Sequence, residues 1–319
     1  MSIKINNFQM DSASKAKVKI ECFEIYDTEK VPIGIVQFTH GLSEATEFFL
    51  PILEHLAENG YYVISMDYLG HGKTAGPGLV GITPSDTNKA IWKDMLNLQT
   101  IATKKYPNLP VFMYAHSMGS MMTRTFLAMY GDKVHVKACF LSGDSALPSL
   151  TYRLVPAANI LGRLISHYPG DIEKRRNSYV EKNYGDKLPL PTKLMMSWIS
   201  FDKAHRVNFA NSPYSSGVNT DPKNLIGFVL KAFSTFAYAD KEGWEYKIPD
   251  ETLIFHGCGH WDIAGFLGYG PTILHNKLIA AGKKSELKLY NRSMHEVHVE
   301  KEAKNGIYKD ILEVFDPKK

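Results

Sequence analysis

Ala115-His116-Ser117-Met118-Gly119 places a serine between small residues, where a strand-like run meets a helix-like one. A serine hydroxyl is a poor nucleophile at its free pKa. It is activated by a base that takes its proton and a carboxylate that orients the base. Small residues two before and two after the serine suit a turn that projects the hydroxyl outward, because that turn brings backbones close together. Out of context the pattern is common, and the alternative is a serine capping the following helix. Strand Val111–Ala115 ahead and helix Met118–Tyr130 behind favour the nucleophile.

On such a strand-turn-helix unit the partners follow in the order acid, then histidine. Asp262 lies in Cys258-Gly259-His260-Trp261-Asp262-Ile263-Ala264-Gly265, just after the strand Glu251–His256. His295 lies in Ser293-Met294-His295-Glu296, after the strand Glu286–Tyr290. The interval between them has room for one helix and one strand. Asp250 and Asp240 are the rival acids, and both precede the strand; His298 is the rival base. Read structurally instead, Asp262 would cap a helix and His295 would be a surface loop histidine.

Attack on a carbonyl puts negative charge on its oxygen, and preorganised backbone N–H groups stabilise that charge. Met118, directly after the serine, is one expected donor. Leu42 is the other, in His40-Gly41-Leu42 behind the strand Ile33–Thr39. Gly41 is expected to allow the sharp turn, and His40 to brace the loop rather than titrate in catalysis. A further run, Asp67-Tyr68-Leu69-Gly70-His71-Gly72-Lys73-Thr74, reads as a tight loop; its spacing is not that of a phosphate loop. His256 and His260 are four apart with Asp262 nearby, but Gly257 and Gly259 argue against a helix presenting both histidines to zinc. No metal and no cofactor is expected.

These residues need a scaffold that delivers strand ends to one place. Val18–Tyr26, Ile33–Thr39, Tyr61–Met66, Val111–Ala115 and Val136–Ser142 have strand character, and helices are expected at Phe48–Asn59, Ser85–Tyr106 and Met118–Tyr130. After the middle of the chain the alternation resumes with strands Glu251–His256 and Glu286–Tyr290 and helices Tyr269–Ala281 and Ala303–Phe315. Such alternation implies an α/β fold with a mostly parallel central sheet and helices on both faces. Residues 1–145 and 250–319 form the two parts of that core. Residues 146–249 break the pattern with two long helical stretches, Tyr152–Ser166 and Asn224–Tyr238, and read as an inserted, mainly helical lid.

Composition narrows the class. The 319 residues carry 37 basic and 33 acidic side chains, a net charge of only +4. The short basic clusters at Lys174-Arg175-Arg176, Lys283-Lys284 and Lys318-Lys319 read as solvated surface, the other reading being a transient contact with anionic membrane lipid. No nucleic-acid-binding signature accompanies them. Three widely spaced cysteines, Cys22, Cys139 and Cys258, fit neither a disulfide framework nor a paired-cysteine zinc site. The polar N-terminus lacks the apolar core of a signal peptide, so a cytoplasmic protein is expected. The sequence sets no oligomeric state.

With these motifs in hand, the chain resembles the monoacylglycerol lipase and bacterial lysophospholipase branch of the α/β-hydrolases, a serine aminopeptidase S33-type family. The resemblance rests on His40-Gly41-Leu42-Ser43-Glu44, Asp67-Tyr68-Leu69-Gly70-His71-Gly72, His116-Ser117-Met118-Gly119, Asp262-Ile263-Ala264-Gly265 and Met294-His295-Glu296, with Trp198-Ile199-Ser200-Phe201-Asp202 similar to the family's lid motif. It runs from about Ile33 to the C-terminus. Ala115 and Ser120 stand where the family has glycine, and Cys258-Gly259-His260 replaces a more acidic stretch.

The resemblance implies an α/β-hydrolase fold and metal-free hydrolysis of a small-molecule acyl ester, such as a monoacylglycerol or lysophospholipid. Leu154, Leu161, Leu164, Phe228, Phe233 and Phe236 of the lid would then line an acyl channel or pack the lid itself. Two other functions stay open. One is an aminopeptidase of the same fold, with Glu173, Glu181 or Glu242 meeting the substrate's amino terminus. The other is a non-catalytic ligand-binding relative.

Overall fold

The computed structural model describes residues 2–146, 198–215 and 243–318. The expected helices at Tyr152–Ser166 and Asn224–Tyr238, and with them the acyl-channel candidates, lie outside the described residues.

Eight strands form one sheet in the order β1-β2-β4-β3-β5-β6-β7-β8. They are β1 (Ile3–Asp11), β2 (Lys19–Asp27), β3 (Gly34–Thr39), β4 (Tyr61–Asp67), β5 (Val111–His116), β6 (Val136–Ser142), β7 (Leu253–Gly259) and β8 (Ser285–Tyr290). β2 pairs antiparallel with β1 and β4, and every pairing from β4 to β8 is parallel. In β3, β4 and β5 every residue is buried, as a parallel strand covered on both faces requires.

The helices are α1 (Leu50–Glu58), α2 (Gly72–Ala75), α3 (Thr87–Lys105), α4 (Met118–Tyr130), α5 (Lys203–Asn211), α6 (Tyr269–Ala280) and α7 (Lys304–Val314). Alternate residues of each strand feed two cores. Ile35, Met113, Ala115 and Leu141 pack with α3, α4 and α6 on one face, through residues such as Met95, Leu98, Met122, Phe126 and Leu274. Val36, Phe38, Phe112, Tyr114 and Phe140 pack on the other with Ile52, Leu53 and Leu56 of α1 and Ile307 and Ile311 of α7. The sheet is thus clamped from both sides, and the loops at the carboxyl ends of its parallel strands are held in fixed relation. Open α/β sheets place their ligands at that edge. No helix among the described residues is long and apolar enough to cross a membrane.

Several elements differ from the sequence reading, among them the helices α2 and α5, which were not expected. β1 was not expected. Its apolar residues change phase, with Ile3 and Ile5 on one face and Phe8 and Met10 on the other, so the alternation of a half-buried strand is broken. It forms because β2 offers it a full antiparallel edge, from Ile3↔Asp27 to Asp11↔Lys19. The single helix expected over Phe48–Asn59 is a 3-10 turn, Thr46–Phe49, followed by α1. Asp67 Oδ1 accepts the Thr46 N–H at 2.8 Å and starts the turn early. Pro51, without an N–H, falls where the α-helical ladder begins and none is needed.

Candidate active site

Ser117 sits between β5 and α4, with φ 54° and ψ −122°. A non-glycine residue in that region costs roughly 1–3 kcal/mol, and such strain persists only where the surroundings enforce it. Here the Ser117 N–H donates to the Ser142 carbonyl at 2.8 Å, tying the turn to the end of β6. The turn lifts the hydroxyl above the sheet. Met118 opens the helix, so its N–H belongs to the first turn, where no intrahelical acceptor exists.

His295 and Asp262 complete a chain of hydrogen bonds. His295 Nε2 lies 2.7 Å from Ser117 Oγ, and His295 Nδ1 lies 2.8 Å from Asp262 Oδ2. The other Asp262 oxygen accepts the Ala264 N–H at 2.9 Å, which fixes the carboxylate in the loop after β7. Burial alone would raise Asp262, but the charge of His295 and its hydrogen bond hold the carboxyl below its ordinary value. Burial likewise opposes a charged His295. Asp262, with Glu44 and Glu296 farther off, more than offsets it and holds the ring above the ordinary histidine value. The charged form of the ring beside Ser117 Oγ is therefore stabilised.

The loop after β3 closes over the serine. A Cβ on Gly41 would stand 2.8 Å from Ser117 Cβ, so glycine is required there by close approach. The sequence reading gave Gly41 the sharp turn instead; the positive φ in this loop falls on Ser43, at 64°. His40 is fully buried, stacks on Tyr68 at 4.2 Å and donates from Nδ1 to the Gly41 carbonyl at 2.9 Å. The Tyr68 hydroxyl donates to the same carbonyl at 2.7 Å. Burial keeps His40 below the ordinary histidine value, despite Asp67 nearby. Leu42 follows directly on this braced segment. The Asp67–Thr74 run, expected to be a plain loop, is organised by Asp67. Its carboxylate accepts the Thr46 and Lys73 N–H groups, each at 2.8 Å, and so joins two loops beside the site.

Sequence reasoning assigned no role to a buried polar layer behind the triad. Glu44 accepts the Gly41 N–H, and its other oxygen lies 3.4 Å from His116 Nε2. His116 Nδ1 faces Ser142 Oγ at 3.1 Å. Burial opposes the Glu44 carboxylate, yet His116 beside it holds the group below its ordinary value. Glu296 pairs with His205 of α5. The only sequence signal for this layer is adjacency, since His116 and Glu296 flank Ser117 and His295 along the chain.

Glu44, His116 and Glu296 each offer one atom within 4.8 Å of the others, the one grouping among the described residues with metal-ligand chemistry. Each already faces a protein side chain, Glu44 against His116 and Glu296 against His205. The pair weighed for zinc does not converge: His256 faces Asp144 at 3.3 Å, and His260 is exposed. Two of the rival residues have other partners. Asp250 is exposed and pairs with Lys283, and His298 is buried against Phe49 with ring centroids 4.4 Å apart. Asp240 lies outside the described residues.

Comparison with known proteins places this geometry in a family. The profile of the serine aminopeptidase S33 family matches residues 30–302. A monoglyceride lipase homolog of Monkeypox virus is 28% identical over 284 residues, 88% of each chain. An uncharacterized abhydrolase domain-containing protein of Dictyostelium discoideum is 28% identical over 141 residues, 43% of this chain, and the match spans only 14% of that protein's length. Among solved structures, a thermostable carboxyl esterase from Bacillus coagulans, in complex with glycerol, superposes with a TM-score of 0.75 at 22% identity, covering 97% of each chain. Ser117, His295 and Asp262 all fall within the matched residues, and the chain is an α/β-hydrolase belonging to the serine aminopeptidase S33 family.

Proposed function

We propose that this hydrolase cleaves carboxylic esters of small amphiphiles, a monoacylglycerol or lysophospholipid above all, through an acyl-enzyme intermediate. The observation that carries the reading is the hydrogen-bonded chain Ser117 Oγ, His295, Asp262, at 2.7 and 2.8 Å, on a strained strand-to-helix turn.

Ser117 Oγ attacks the ester carbonyl as its proton passes to His295 Nε2. Asp262 keeps the proton on Nδ1, so that Nε2 is the accepting nitrogen, and stabilises the imidazolium that forms. The backbone N–H groups of Leu42 and Met118 receive the charge on the carbonyl oxygen, each worth about 3 kcal/mol in such sites. The C–O bond breaks as His295 protonates the leaving alcohol. Water, deprotonated by the same ring, then attacks the acyl carbon and releases the acid.

The amphiphilic substrate is supported by the monoglyceride lipase homolog of Monkeypox virus. It is supported also by the apolar side chains around Asp262. Trp261, Ile263, Phe266, Leu267 and Tyr269 are all exposed, with Phe201 beside Trp261. In this reading residues 146–249 serve as a lid, and brief contact with lipid delivers the substrate. Three buried free cysteines fit a reducing, cytoplasmic setting.

The test is hydrolysis of p-nitrophenyl esters from acetate to palmitate by the wild type and by Ser117→Ala. A serine-dependent rate that peaks at a medium or long acyl chain is expected. A preference for acetate over octanoate would overturn the amphiphile. The family's own description favours aminoacyl arylamides as the competing substrate, and a rate on them above that on every ester would overturn ester cleavage.

A further inference from the structure

Glu296 directly follows His295 and holds the 198–211 segment at two points. Its backbone N–H donates to the Ile199 carbonyl at 2.8 Å, and its carboxylate meets His205 Nε2. His205 stands in the first turn of α5, where Asp202 caps the helix by accepting the His205 N–H at 3.0 Å. Ahead of α5, the Trp198 ring lies 4.9 Å from the His295 ring. Glu300 adds a bridge, its Oε1 accepting from Phe201 at 2.9 Å and from Met294 at 3.2 Å. At the far end of α5, Phe209 packs on Phe48 with centroids 5.0 Å apart. The segment therefore rests on the His295 loop at one end and on the chain that follows the Gly41-Leu42 loop at the other.

Glu296 is only 1% exposed, and Glu44 puts a second carboxyl in the same cluster. Two buried carboxyl groups this close need polar partners, because a buried polar group left without one is costly. His116 lies against Glu44 and His205 against Glu296. Without His205 the Glu296 carboxyl would lose its side-chain partner, directly beside the residue it follows.

We propose that Glu296 is a positioning residue for His295, and that the His205 imidazole holds it in place, so that the 198–211 segment and the base form one unit. The proposal rests on the assignment of Ser117 as nucleophile and His295 as base.

A pH signature follows. Burial opposes a charged His205, but Glu296, Asp202 at its own helix cap and Glu44 behind the Gly41-Leu42 loop keep its proton above the ordinary histidine range. The neighbouring His298 ring, 6.4 Å away, is kept neutral by burial and adds no opposing charge. The pair is intact while His205 is protonated and weakens as pH rises through its raised value. The reaction then gains an alkaline limb that a Ser-His-Asp triad alone does not supply.

The test is the rate of fluorophosphonate labelling of Ser117 against pH, in the wild type, His205→Ala, His205→Gln and Glu296→Gln. Each variant is first checked for native circular dichroism. His205→Ala and Glu296→Gln should label roughly tenfold more slowly at neutral pH, as displacement of a reacting group predicts, and should lack the alkaline fall. His205→Gln keeps a neutral donor without the charge, so at every pH it should label at about the rate the wild type reaches above its alkaline fall, and should itself lack the fall. With an ester substrate the loss should appear in kcat, with KM within about twofold. Equal rates and the same alkaline fall in all four proteins would overturn the proposal. So would lowered thermal stability with an unchanged pH profile, the mark of a purely structural contact. A wild type that hydrolyses no ester and takes no label would overturn the triad assignment itself, and the proposal with it.

Discussion

Gly119 passes so close beneath Thr39 that a Cβ on it would stand 2.2 Å from the Thr39 carbonyl oxygen. That contact sets the distance between the helix behind Ser117 and the strand that leads into the Gly41-Leu42 loop. It therefore sets the gap between the two proposed oxyanion donors. Gly119→Ala must push α4 away from β3, and overpacking of this kind costs roughly 1–3 kcal/mol. The expected outcome is a folded protein of lowered melting temperature, with kcat reduced at least as far as removal of one oxyanion donor, about 100-fold. Ala115→Gly is the control. Ala115 is buried and its methyl is already accommodated, so this change should cost under about 1 kcal/mol and leave kcat near the wild type.

Asp262→Asn separates orientation from packing. In the wild type kcat/KM should rise with pH as His295 loses its proton, and that limb should lie above 6.5 because Asp262 holds the proton on. The asparagine removes the charge, so the limb should move to lower pH. In the trypsin-type triad the same change drops kcat by about 10⁴, and a comparable fall is expected here. A pH–rate profile checks both, and an unmoved limb would assign the acid elsewhere.

The hydrogen-bonded chain of Ser117, His295 and Asp262 follows from sequence features that each have a local cause. Ser117 needs small neighbours, Asp262 and His295 follow strands, and the strands carry continuous apolar runs. The polar layer was not legible in the sequence, because it is assembled by tertiary contact. Glu44 reaches His116 across two loops, and Glu296 reaches His205 across 91 positions of chain. β1 escaped for a related reason. Its apolar residues change face halfway along, and only pairing with β2 makes the segment a strand.

His298 ties stability to pH. Burial keeps its ring neutral in the folded protein, with a value well below 6.5. The unfolded chain takes up a proton there as pH falls below about 6.5, and the folded chain does not. The unfolded state thus binds more protons, and stability contributed above that pH is lost as pH falls toward the depressed value. His298→Gln should make the fall in unfolding free energy shallower by about 1.4 kcal/mol per pH unit between roughly pH 6 and 5. Urea titrations across that range measure it; parallel curves for the two proteins would show that His298 charges in the folded state.

The central claim is that Ser117 is a nucleophile activated by His295. Peptide mass mapping after fluorophosphonate treatment tests it most directly. A single adduct on Ser117 is predicted in the wild type, with none in Ser117→Ala and a labelling rate at least 100-fold lower, roughly, in His295→Ala. Folded wild-type protein that takes no label, or takes it on another residue, would contradict the account.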